Sequence, residues 1–158
     1  CSSDLGDPHP GNILLLKDGR IGLIDYGQVK HMTVNERIIF AKLILAHYRM
    51  DKKEVARLSF EEMGAVTKYM NADAAYLLSA FYADRFHDDV MQGRNISDFI
   101  DWMEATDPNV RAPEEYIMAC RVSLLVRGMG SAFGIKFRMS EIWKQYAEAL
   151  LKKHGVEY

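Results

Sequence analysis

Cysteine is scarce in this chain, and the scarcity excludes two architectures. Only Cys1 and Cys120 occur among 158 residues. They are too few and too far apart for a disulfide framework or a paired metal-ligand motif, so a reducing compartment is the simpler expectation. Long hydrophobic runs are missing too. No stretch of about 18 apolar residues is present, so no transmembrane helix is expected. No signal peptide is visible at the start. Charge of one sign is also lacking. A net charge of −2 gives no general attraction to nucleic acid or to an anionic membrane. Internal repeats and low-complexity tracts are absent. What remains is ordinary for a globular protein, with 49% apolar and 27% charged residues. The length is that of one domain able to bury a sizeable core.

The informative stretch lies near the start. Asp7-Pro8-His9-Pro10-Gly11-Asn12 is followed thirteen positions after Asn12 by Asp25-Tyr26-Gly27. Between them, two short apolar runs, Ile13 to Leu16 and Ile21 to Ile24, flank Asp18-Gly19. That pattern predicts a β-hairpin. With Asp18-Gly19 as a two-residue turn, Leu16 faces Ile21, Ile13 faces Ile24, and Asn12 faces Asp25. Opposed residues share a face, with Cβ atoms about 5 Å apart. The hairpin is then a device that brings an Asn and an Asp together. Such a pair suits Mg²⁺, a hard cation held by carboxylate, amide and phosphate oxygens.

Asp7 precedes Asn12 by five positions. This is the D-x-x-x-x-N spacing of a kinase catalytic loop, where the Asp accepts the substrate hydroxyl proton and the Asn holds a metal. Asp25-Tyr26-Gly27 stands where a kinase has D-F-G, whose Asp bridges the metal to phosphate. Taken singly, each residue reads as a turn, loop or cap residue. The three in order and in register point to a site. Asp7 is the expected catalytic residue, and Asn12 and Asp25 are the expected cofactor and metal ligands. His9 is expected to brace the loop.

These residues resemble the UbiB family, also called ABC1 or ADCK, of atypical protein-kinase-like proteins. The family's run is H-A-D-P-H-P-G-N, then a hairpin, then L-D-F-G. Leu5-Gly6 stand here for His-Ala, and Tyr26 for Phe. Aminoglycoside-type phosphotransferases, with G-D-x-H-P-G-N, match Gly6 to Asn12 as well, but Pro8 favours UbiB. Two weaker matches lie further on. Arg37 with Leu43-Ile44-Leu45-Ala46 and Asp51 resembles the family's run after D-F-G, and Pro113 through Arg127-Gly128 resembles its late P…R…G segment. The resemblance implies an ATPase or atypical kinase that uses ATP and Mg²⁺. It further implies support of ubiquinone synthesis or related lipid homeostasis in a mitochondrion, a plastid or at a bacterial membrane. Partners would be a nucleotide and a lipid or membrane surface, with no nucleic acid, and the phosphoacceptor stays open. A non-catalytic pseudokinase scaffold is the reading from another class.

A phosphoryl-transfer enzyme of this kind needs a loop over the phosphates and a Lys–Glu pair. Neither precedes Asp7, so residues 1–158 are expected to be a C-terminal lobe without its N-terminal lobe. Residues 1–30 would carry the site and residues 31–158 a helical bundle. The fold class expected is mainly α with one β-hairpin, a protein-kinase-like C-lobe.

In the bundle, Thr33 with Glu36 predicts a capping box opening a central helix to Tyr48. Asp51 with Glu54 predicts a second helix through Met63, closed by Gly64. Asn71 or Asp73 opens a third through Ala83, and residues 92–95 form a loop. Ser97 is expected to cap a short helix to about Ala105, which Asp107-Pro108-Asn109 ends. Pro113 starts a long helix loosened by Gly128, Gly130 and Gly134. Ser140 is expected to cap a last helix to His154. Asn95-Ile96-Ser97 fits a glycosylation acceptor by chance alone. His87-Asp88-Asp89 reads as a solvated helix end. Arg121 and Arg127 read as partners of carboxylates, and the spread-out methionines as core filler.

Overall fold

The computed structural model describes residues 3–5, 10–24 and 29–158. The fold is mainly α, with short antiparallel strand pairs. The predicted hairpin is present. Strand β2 (Ile13–Leu15) pairs with β3 (Ile21–Leu23), after a single 3₁₀ turn at Pro10–Asn12. Its register is one position off the expectation. Ile13 faces Leu23, Leu14 faces Gly22 and Leu15 faces Ile21. The cause is the turn. Leu16 donates its amide to Arg20 O at 2.8 Å, and Gly19 donates to Leu16 O at 2.9 Å. Gly19 takes φ +82°, the left-handed glycine that closes a three-residue loop. Asp18 sits in the middle of that loop and accepts from the Arg20 amide at 3.2 Å and from its Nε at 2.9 Å.

The hairpin is inserted into a second ladder. Strand β1 (Ser3–Leu5) pairs with β4 (Val29–His31), Ser3 facing His31 and Leu5 facing Val29. A third pair, β5 (Val66–Thr67) with β6 (Asn109–Arg111), ties the bundle's middle together.

Helix α1 (Val34–Tyr48) opens with the predicted capping box: Thr33 Oγ1 accepts from the Glu36 amide, and Glu36 accepts from the Thr33 amide. Seven of its residues are buried, which makes it the axis of the bundle. One side meets α2 (Lys52–Arg57), α3 (Ala72–Ala83) and α6 (Glu114–Ala132) through Leu43, Val55, Leu58, Tyr76 and Ala119. The other meets α7 (Met139–Lys153) through Ala41, Ile44, Ala147 and Leu151. A separate cluster of Phe81, Val90, Phe99 and Met103 joins α3 to α4 (Asp88–Met91) and α5 (Ile96–Thr106). Helix α2 passes straight into a π-helical turn at Leu58–Glu62 before Gly64, at φ +75°, ends it.

Several caps differ from the expectation. Asn95, not Ser97, caps α5, accepting from the Asp98 amide at 2.9 Å. Helix α6 runs through Gly128 and Gly130 to Ala132. Helix α7 is capped by no side chain of its own, and Ser140 is buried in its first turn. The partner is Asp84, just past α3, which accepts from the Ser140 amide at 2.8 Å and places a carboxylate at the positive end of the helix dipole.

That exchange is one of several in which side chains bond to the ends of neighbouring helices. Arg138, before α7, donates to the α1 carbonyl of His47 at 2.6 Å. Arg127 of α6 donates to the α3 carbonyls of Phe81 at 2.6 Å and Tyr82 at 2.9 Å. Ser123 donates to the carbonyl of Ala83 at 2.9 Å. Carbonyls at a helix C-terminus have no partner inside the helix, and these side chains bond to them. Arg127 therefore pairs with carbonyls, not with the carboxylate expected from the sequence. Burial pulls its guanidinium down to about 10, and the charge of Asp84 opposes that. Asp84 itself receives Arg85 Nη1 at 2.7 Å and Arg138 Nε at 3.4 Å. Burial pushes its carboxyl up, yet the Ser140 amide and nearby positive groups outweigh this and hold it below the ordinary carboxylate value.

Candidate functional site

Of the three predicted site residues, Asn12 lies within the described part of the structure; Asp7 and Asp25 lie outside it, as does His9. Asn12 ends the 3₁₀ turn and leads directly into β2, half-buried. Its carbonyl accepts from the Ile24 amide at 3.2 Å, which extends the hairpin ladder by one pair. Asn12 thus faces Ile24, and the expected opposition of Asn12 and Asp25 is corrected. The physical reason is the extra loop residue, since a one-residue slip changes every cross-strand partner. Both Gly11 and Asn12 are engaged by neighbours rather than free.

The surroundings fix this stretch from two sides. Leu5 and Val29 are paired, so the chain leaves one ladder, forms the hairpin, and returns to the same ladder. Immediately after β4, Met32 is buried in the core with Ile39, Tyr116 and Ala119, anchoring the return to the bundle. Helix α6 packs against β1. The hairpin itself is apolar yet open. Leu15 is 78% exposed and Ile21 65%, more than a strand of this composition normally shows to water.

Other predicted features resolve as structure. His87 precedes α4, and Asp89 is held by Arg85 at 2.6 Å, so His87-Asp88-Asp89 is a helix end with an ion pair. Among the described residues no group of three or more His, Cys, Asp or Glu side chains is placed to hold a metal. Arg121 is engaged. Met63, Met91 and Met103 fill the core as expected, whereas Met70 is 47% exposed. Asn95 spends its side chain on Asp98, donating to its carboxylate at 2.7 Å. No helix among the described residues is long and apolar enough to cross a membrane.

Sequence reasoning missed two buried polar centres. One is the Asp84–Arg85 pair with His47, whose Nε2 lies 2.9 Å from Ser79 Oγ. The other is Asp107, read only as a helix breaker. It accepts from Thr67 Oγ1 at 2.7 Å, from the Tyr69 amide at 2.7 Å and from the Asn71 amide at 2.8 Å. Both act as structural ties.

A hairpin led in by Asn12 and mounted on a bundle around α1 has the build of a mainly α, kinase-like C-lobe. Residues 5–59 match the family model of the ABC1 atypical kinase-like domain. It is similar to the protein Activity of BC1 Complex Kinase 1, chloroplastic, of Arabidopsis thaliana, at 28% identity over 150 residues, covering 88% of this chain and 20% of that protein. It is also similar to the uncharacterized protein slr0889 of Synechocystis, at 44% identity over 55 residues, covering 35% of this chain and 14% of that protein. The chain thus spans a fifth or less of the length of these relatives. No solved structure matches it.

Proposed function

We propose that residues 1–158 are the C-terminal lobe of an ATP- and Mg²⁺-dependent atypical kinase or ATPase of the UbiB type. The observation that supports this most is that the family match, residues 5–59, contains Asp7, Asn12 and Asp25 at kinase-like spacing. The donor set fits the metal. An amide oxygen and a carboxylate are hard oxygen ligands of the kind Mg²⁺ takes alongside phosphate oxygens. When bound, Mg²⁺ would neutralise charge on the β- and γ-phosphates.

Each residue then has a role. Asp7 orients the attacking hydroxyl or water and accepts its proton. Asn12, fixed by the turn before β2 and by the Ile24 amide, holds one side of the metal. Asp25 would supply a carboxylate to the metal. The lobe that covers the phosphates and carries the Lys–Glu pair belongs to the rest of the protein. The biological reading is support of ubiquinone synthesis or related lipid homeostasis in an organelle or at a bacterial membrane, with nucleotide as ligand and a lipid surface as partner. Phosphate release by the full-length protein tests the reading. Mg²⁺-dependent hydrolysis should fall at least tenfold in both Asp7→Asn and Asp25→Asn. Unchanged rates in both variants would favour a non-catalytic scaffold.

A further inference from the structure

Away from the hairpin, the bundle lines a half-open cavity of about 510 Å³ between the π-helical turn, α3, α5 and α6. Its walls include Phe60, Met63, Leu78, Met103, Tyr116 and Leu124. The volume lies within the range of small-molecule sites, about 300–1,000 Å³. Most of the polar groups in its wall are already committed. Ser59 Oγ donates to the Val55 carbonyl at 2.8 Å, and Ser79 is bonded to His47. Thr67 donates to Asp107, whose carboxylate also takes two backbone amides. Glu104 accepts from the Asn109 amide at 3.3 Å, and Arg121 is engaged. Burial pushes the Cys120 thiol up to about 12, so it stays neutral.

Water held in a cavity needs two to four polar partners, and apolar cavities without them stay dry and accept apolar guests. A charged guest would lose its hydration against a wall that is mostly apolar. We infer that this cavity is a binding site for an uncharged, largely apolar small molecule. The site is separate from the nucleotide site and does not depend on it. One wall, α6, also packs on β1, the strand that leads towards Asp7, so a bound guest would stiffen the support of the catalytic segment.

The test uses the full chain with ¹³C-methyl-labelled methionine, titrated with n-decanol and separately with decanoate. Met63 and Met103 line the cavity; Met91 and Met139 do not. Decanol should shift the Met63 and Met103 methyl signals saturably and leave Met91 and Met139 in place, whereas decanoate should shift none of them. Leu78→Trp, which fills the cavity, should abolish the decanol response. The inference is overturned if Met63 and Met103 do not respond, as when another part of the chain fills the cavity. It is equally overturned if decanoate acts as well as decanol, or if a folded Leu78→Trp protein responds like wild type. Should that variant fail to fold, the wild-type methyl pattern alone decides.

Discussion

Asp84 ties α3, α7 and the segment before α7 together. Its fully buried carboxylate meets Arg85, Arg138 and the first turn of α7 at once. Removing one member of a buried ion pair strands the other, at about 3–5 kcal/mol. Asp84→Ala should lower stability by that amount in urea titrations, and should loosen α7 first in hydrogen exchange. His47 adds a pH dependence of known sign. Burial lowers its pKa from 6.5 to about 4, with Asp84 opposing and Arg85, Arg138 and Arg127 assisting; Tyr76 and Ser79 complete its surroundings. The folded protein therefore keeps His47 neutral while the unfolded chain takes up a proton. Stability should be intact above pH 6.5 and fall as pH drops towards 4, by up to about 3 kcal/mol from His47 alone. The lowered Asp84 carboxyl acts in the same direction at the acid end. Denaturant midpoints at pH 7 and pH 5 check this, and His47→Gln should flatten the slope. Neither residue stands out in the sequence, because the partners of Asp84 in and before α7 lie more than fifty positions away.

At the scale of elements, local chemistry made the bundle largely legible. Thr33 and Glu36 form their capping box, Asp51 and Asn71 cap α2 and α3, and Gly64 ends its helix. Thr33→Ala should cost about 1 kcal/mol, visible in global unfolding because α1 packs on both halves of the core. What was not legible was whatever depends on distant contact. Asp84 reaches across to replace Ser140 as the cap of α7, β5 and β6 pair across some forty residues, and α4 forms a single turn held by Arg85. The hairpin shows the same limit at short range. Asp-Gly marks its turn correctly, but a two-residue and a three-residue loop share those letters. The choice between them moved Asn12 from facing Asp25 to facing Ile24.

At the scale of the whole molecule, the spacing of Asp7, Asn12 and Asp25 carries the resemblance that the match over residues 5–59 supports, whereas Asp7 and Asp25 lie outside the described residues. The faces of β2 and β3 are apolar and open, and the chain spans a fifth or less of the length of these relatives. The isolated 158-residue chain should accordingly release no phosphate from Mg-ATP above background, and a colorimetric phosphate assay would show it. The central claim, that Asp25 holds phosphate-bound Mg²⁺, is tested most directly by melting curves of the full-length protein and its Asp25→Asn variant, each with and without Mg-ATP. The substitution keeps size and hydrogen bonding but removes the charge, so without ligand the two should agree within about 0.5 kcal/mol. A ligand that binds only the folded state stabilises it by mass action, about 2.7 kcal/mol at a hundredfold excess over Kd. Wild type should show such a shift and Asp25→Asn little or none; equal shifts in the two proteins would make Asp25 a structural cap and contradict the account.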